Sequence, residues 1–151
     1  MEQTTWQVAE VQLIYKSKVR ASERPKITKS GDAFSVLKEH WNLETIEFIE
    51  TFKVMLLNRA NRVLGIIDIS TGDTCGTVVD CKVVFTATLK SNASQIILAH
   101  NHPSGNLTPS QADINLTRKL KSAGEFLDIT VLEHIILTSE SYFSFADDGV
   151  I

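Results

Sequence analysis

The stretch "HNHPSGNLTPSQAD", His100 to Asp113, decides how the chain is read. It follows the apolar run "QIILA", which reads as a buried strand, so His100 and His102 stand two residues apart at a strand end and send both imidazoles to one face. The loop "PSGNLT" carries the turn residues that fold the next element back toward that end. Thr108, Pro109 and Gln111 have the residue types of a capping box with proline at the first helical position, so the spacing predicts a helix starting at Pro109. Ser110 and Asp113, three residues apart, then share one side of its first turn. A catalytic zinc usually takes three protein ligands and keeps a fourth position for water. His100, His102 and Asp113 supply that count.

A proton shuttle is still needed, and Glu50 is the candidate. In "EFIETFKVMLLN" the residues Phe48, Glu50, Phe52, Val54 and Leu56 alternate onto one strand face, with Ile49, Thr51, Lys53, Met55 and Leu57 on the other. A lone carboxylate among apolar neighbours suits a general base. Two plainer roles compete: an edge carboxylate in water, or a partner for Lys53. Ser104 reads as a turn residue, since no base adjoins it. His134, within the apolar strand "VLEHIIL", reads as a hydrogen-bonded structural or supporting histidine in preference to a fourth ligand.

Outward from the motif the elements alternate. Asp32 is expected to cap a helix "AFSVLKEHW" bearing Phe34, Leu37 and Trp41 on its core side. Asn58 to Asn61 turns the chain, and "RVLGIIDIS" returns as an antiparallel partner, punctuated by Gly72 and Asp73. "DCKVVFTATLKSNAS" is ambiguous by composition. Asp80 as N-cap and the apolar run that follows favour a helix, since a helix before a buried strand makes an α/β unit. Beyond Pro109, Ala112, Leu116, Leu120, Ala123 and Leu127 form an apolar stripe ended by Gly124. "ITVLEHIIL" and "YFSFA" read as a hairpin around Ser139 to Ser141.

At the amino end, "TWQVAEVQLIYKSKV" alternates like a strand through Val8, Val11, Leu13 and Tyr15, and a basic arm follows with Lys16, Lys18, Arg20, Arg24, Lys26 and Lys29. Residues 1–31 are expected to belong to the same globular unit as a metal-binding domain over residues 32–151. A length of 151 residues with 43% hydrophobic content allows one domain and is short for two. The net charge of −3 gives no global basic footprint, so nucleic acid is not favoured as a partner. Cys75 and Cys81 fit neither a disulfide framework nor a zinc knuckle, and thiols this sparse suit a reducing cytoplasm. No apolar run approaches the roughly 20 residues of a spanning helix, and no signal peptide is apparent. A membrane partner is not expected, and nothing here fixes the oligomeric state.

The pattern His100-x-His102, seven residues, Ser110, two residues, Asp113, with an upstream glutamate on a strand, resembles the JAMM motif of JAB/MPN metalloproteases. The longer strings "ILAHNHPSGNLTPSQADINLTRKL" and "LEHIILTSESYFSF" resemble the RadC branch of that superfamily, over roughly Glu47 to Gly149. The resemblance implies an α/β fold, a three-layer sandwich with a mixed, curved sheet flanked by helices as in cytidine deaminases. It implies His100, His102 and Asp113 around one zinc per chain, Glu50 as acid/base and Ser110 as oxyanion donor. The implied activity is hydrolysis of a peptide or isopeptide bond in a peptide or protein substrate, in a family associated with DNA repair. No "PCxxC" follows the histidines, so deaminase chemistry is not implied. The first 46 residues do not match the helix-hairpin-helix region of longer RadC proteins. A non-catalytic binding module that meets DNA-repair or replication partners through the basic arm is the alternative. A metal-dependent nuclease is weaker, since two bridged metals need more carboxylates than the one clear ligand here.

Overall fold

The computed structural model describes residues 2–3, 5–12, 14–72 and 78–151. Its centre is a five-stranded mixed sheet in the order β2-β1-β3-β4-β5, formed by β1 (Thr51–Leu57), β2 (Val63–Thr71), β3 (Gln95–Asn101), β4 (Thr130–Leu137) and β5 (Tyr142–Ser144). β1 runs antiparallel to both β2 and β3, β3 pairs parallel with β4, and β4 pairs antiparallel with β5. The parallel pair needs a crossover, which α3 (Gln111–Phe126) supplies; α2 (Cys81–Lys90) links β2 to β3. α1 (Ser30–Glu39) precedes the sheet.

Alternation sorts the central strands into two cores. Met55, Leu57, Ile97, Ala99, Ile135 and Leu137 face α1, where Ala33 and Leu37 are fully buried. Phe52, Val54, Leu56, Ile96 and Leu98 face the other way, onto Val84 and Phe85 of α2 and Leu120 of α3. Helices on both sides make the expected three layers. Each fully buried aliphatic side chain stabilises by about 1.5–3 kcal/mol. Emptying one, as in Leu37→Ala, costs about 2–5 kcal/mol.

Local chemistry explains the joins. The Asn58 carboxamide accepts from the N–H groups of Ala60 and Arg62, and Asn61 takes the left-handed conformation, closing the β1–β2 turn. Asp80 caps α2 by accepting from the Lys82 N–H, which resolves the ambiguous segment as a helix with Val84, Phe85 and Thr88 on its buried side.

Several expectations need correction. The described residues before Arg20 form no strand: Val11 and Tyr15 keep a strand's spacing, yet Val8 and Val11 stand exposed and none of the described residues there joins the sheet. Leu13, Asp73 and Cys75 lie outside the described residues. Of the basic arm, Lys26 bridges to Arg62 and Ile27 enters the core. α1 begins at Ser30, ahead of Asp32, whose carboxylate reaches back to the N–H groups of Thr28 and Lys29 from the third helical position. Trp41 is buried, but beyond the end of α1. Phe48 lies before β1 and is exposed. Gly124 does not end α3. It sits in the last turn because a Cβ there would meet the Ile129 carbonyl oxygen at 2.5 Å, and Asp128, past the helix, takes the left-handed conformation. Ala112 and Leu127, placed on the stripe, are exposed; Thr117 and Leu120 are the buried residues of that face.

Candidate metal centre

The site forms where β1 and β3 end against the start of α3. In β3 the even positions Ile96 and Leu98 face α2 and α3, so His100 continues that face, opposite Phe52 in the β1 register. The Phe52 and His100 rings stack with centroids 5.9 Å apart. His102 lies just past β3, its N–H still donating to the Leu137 carbonyl. Its Nε2 stands 3.0 Å from that of His100. On the far side of its ring, Nδ1 donates to the Asn106 carbonyl oxygen at 2.6 Å, since a carbonyl can only accept.

The capping box that opens α3 lies two residues later than the one expected. Ser110 is the N-cap, its Oγ accepting from the Asp113 N–H at 3.0 Å, while the Ser110 N–H donates to Asp113 Oδ2 at 2.8 Å. Thr108-Pro109-Ser110-Gln111 had the right residue types, but this reciprocal pair decides the start at Gln111. The displacement matters because the cap holds the Asp113 carboxylate toward the histidines. Its Oδ1 is 3.4 Å from His100 Nε2, and its Oδ2 is 3.4 Å from His102 Nε2. Ser110 itself is exposed and joins the cluster through Asp113.

Glu50 immediately precedes β1. Because Phe52 is opposite His100 in an antiparallel pair, the position two before Phe52 approaches the position two after His100. Glu50 offers a carboxylate oxygen that lies with the His100 and His102 nitrogens inside a 4.8 Å cluster. Asp113 faces both rings at 3.4 Å. Glu50 is therefore on the site and free of Lys53, whose Nζ instead pairs with Asp68 at 2.6 Å.

Electrostatics agree with this clustering. The hydrogen bond to Asp113 raises the His102 pKa, against burial, with a smaller contribution from Glu50. Burial alone would push the Asp113 carboxyl up, but the two imidazoles outweigh it and hold the group well below the usual carboxylate range. His134, fully buried, is pushed well down by desolvation and then by the neighbouring His100.

The donor set fits a metal. Bonds of about 2.0–2.1 Å in a tetrahedral zinc site put ligand atoms roughly 3.3 Å apart. The His100 and His102 Nε2 atoms are 3.0 Å apart, and Asp113 faces them with one carboxylate oxygen each, Oδ1 3.4 Å from His100 and Oδ2 3.4 Å from His102. A cleft of about 390 Å³ opens beside His102, lined by Ile46, Glu47, Pro103, Ser104, Thr138 and Ser139 among others. Ser104 accepts from the Asn106 N–H, as a turn residue does.

Two residues escaped the sequence reading. Asn101, between the histidines, points to the opposite face. Its Nδ2 donates to the Ile46 and Ile49 carbonyls at 2.7 and 2.8 Å, and its Oδ1 accepts from the Thr51 N–H at 2.8 Å, so it pins the segment that carries Glu50. Its signal was a polar side chain in an apolar strand. Thr117, one helical turn after Asp113, reaches His134; only its helical spacing from Asp113 pointed there.

A three-layer α/β sandwich with two histidines at a central strand end and an aspartate on a helix start is the arrangement of a JAB-type domain, with residues that could hold a metal. The family model described as "RadC-like JAB domain" matches residues 27–150, and the chain belongs to that family. The match begins well upstream of Glu47 and takes in α1. Among similar proteins, a "UPF0758 protein" of Flavobacterium johnsoniae is 44% identical over 125 residues, covering 83% of this chain and 53% of the relative. One of Pelobacter propionicus is 44% identical over 102 residues, 68% of this chain and 44% of the relative. One of Clostridium botulinum is 35% identical over 136 residues, 86% and 60% respectively. The chain thus spans about half the length of these relatives.

Proposed function

We propose that the chain is a zinc-dependent hydrolase of the JAMM type, acting on a peptide or isopeptide amide in a peptide or protein substrate. The observation that carries the reading is the convergence of His100, His102 and Asp113, with the Glu50 carboxylate within 4.8 Å of the two imidazoles. These three residues would hold one zinc per chain. When bound, zinc supplies a Lewis acid that polarises the scissile carbonyl and lowers the pKa of water to about 7.

The substrate chain lies along the cleft beside His102. Glu50 takes the proton of the attacking water and returns it to the amine nitrogen as the C–N bond breaks. The Ser110 oxygen already accepts from the Asp113 N–H, which leaves the hydroxyl proton to donate to the developing oxyanion. Asp113 has two duties, as ligand and as the residue whose cap sets the Ser110 hydroxyl. Cys81 is a free thiol, and among the described residues no helix is long and apolar enough to cross a membrane.

The test is Glu50→Gln, assayed with fluorogenic peptide and isopeptide libraries. Turnover is expected to fall about 10²–10⁴-fold with zinc retained. Unchanged turnover of a cleaved substrate would overturn the assignment.

A second reading is a binding module for nucleic acid in DNA repair. In its favour, Lys16, Lys18, Arg20, Lys26 and Lys29 stand exposed along one run. It predicts association with duplex DNA that weakens steeply with salt and disappears when those residues are neutralised. Binding that survives their neutralisation would dispose of it.

A further inference from the structure

We propose that Thr117 and His134 are positioning residues of the metal centre. They form a one-way chain of hydrogen bonds that fixes His100 as the tautomer with Nδ1 protonated and Nε2 bare. The proposal rests on the reading of His100 as a metal ligand, but the direction of the chain follows from its own geometry.

Thr117 Oγ1 lies 2.7 Å from the Asp113 carbonyl oxygen and 2.6 Å from His134 Nδ1. A carbonyl only accepts, so the single hydroxyl proton goes to Asp113, and the same oxygen must accept from His134 Nδ1–H. The His134 ring is wholly buried, stacked on Phe145 at 4.4 Å with Phe52 against it at 5.7 Å. A neutral ring is what such surroundings hold. With its one proton on Nδ1, His134 presents a bare Nε2 to His100 Nδ1 at 2.7 Å. His100 must then donate from Nδ1, leaving Nε2 bare.

The other ligand arrives at the same state independently, because His102 Nδ1 donates to Asn106. Two bare Nε2 atoms 3.0 Å apart, with a carboxylate 3.4 Å from each, are three acceptors facing one another. A positive charge reconciles them, whether a metal ion or a proton added to one imidazole. Reversing the chain at Thr117 would turn a proton into that space and abolish the ligand.

The first test uses the whole chain, metal-free and labelled with ¹⁵N-histidine, at mildly alkaline pH. Long-range proton–nitrogen correlations read each tautomer. Protons on Nδ1 of both His100 and His134 are expected; a proton on Nε2 of His100 overturns the proposal. This needs no variant and no metal, so it decides the chain's direction even if the wild type takes up no zinc, an outcome that would sink the metal reading alone.

The second test is Thr117→Val, which keeps the shape and removes the hydroxyl. Zinc affinity, measured by competition with a chromogenic chelator, is expected to fall about 10–100-fold. The His100 signals should become a tautomer mixture, and Thr117→Ser should restore both readings. A folded Thr117→Val chain with wild-type affinity and an unchanged His100 tautomer would overturn the proposal.

Discussion

His100 and His102 lie two residues apart and offer the same ring nitrogen, yet opposite kinds of structure hold them. His100 is 2% exposed, flanked by β1 and β4, with the Phe52 ring stacked on it and His134 behind. His102 lies past the strand end, half-buried, its ring steadied by the Asn106 carbonyl in a loop that turns at Gly105 with φ +81°. One ligand is set by the packed core and the other by a short loop. The cleft adjoins the loop side. Rigidity on one side and access on the other would suit the proposed hydrolytic site, since ligand geometry must persist while substrate passes.

The contrast can be sharpened by perturbing each side in turn. The largest effect is expected on the core side from Asn101→Leu. It leaves two carbonyls and the Thr51 N–H without their partner, at about 1–3 kcal/mol for each buried group. Urea denaturation should register a loss of about 3 kcal/mol or more. The segment bearing Glu50 should also exchange its amide protons faster.

On the loop side Gly105→Ala should cost less. A Cβ there meets nothing within 4 Å, so only the left-handed backbone is strained, at about 1–2 kcal/mol. Thermal unfolding should shift modestly, while zinc leaves faster because the Asn106 carbonyl moves. A variant that loses stability as Asn101→Leu does would break the contrast.

Between the two sides stands the α3 cap. Ser110→Ala is expected to destabilise by about 1 kcal/mol, and Ser110→Gly by only a few tenths. Both should impair turnover equally if the hydroxyl serves the oxyanion; a Gly variant of normal activity would reduce Ser110 to a cap.

The smallest effect is a pH dependence of the core side. Glu133 is buried, accepting from Ser144 Oγ and from the His134 and Ala146 N–H groups, and desolvation raises its pKa above 4.5 despite them. A carboxyl raised in the native state binds protons more readily folded than unfolded. Its contribution therefore becomes more favourable as pH falls from the raised native value toward 4.5, opposite to that of a salt-bridged acid. Subtracting the urea midpoints of Glu133→Gln from those of the wild type across this window should expose a difference of that sign. A flat difference would argue against it.

What the sequence could tell follows the same division between local and distant. His100, His102 and Asp113 were legible because strand and helix periodicity carry their relation over fourteen positions. The β1–β2 hairpin and the β4–β5 hairpin were legible from alternation and turn residues. The start of α3 was displaced by two because Thr108-x-x-Gln111 and Ser110-x-x-Asp113 both have capping chemistry, and only the second is closed by reciprocal hydrogen bonds. Val8 and Val11 misled because an apolar pattern records compatibility with a sheet and does not supply a pairing partner. His134 is the hydrogen-bonded supporting histidine its apolar strand suggested, whereas Asn101 and Thr117 act through partners 17 to 55 residues away, which no local pattern encodes.

The most direct measurement of the central claim is metal content by elemental analysis of protein purified without chelator or nickel affinity, wild type beside His102→Ala and Asp113→Ala. The account predicts about one zinc per wild-type chain and none in either variant, with both variants folded. A folded, metal-free wild type that refuses added zinc, or an Asp113→Ala chain that keeps a full complement, would contradict it.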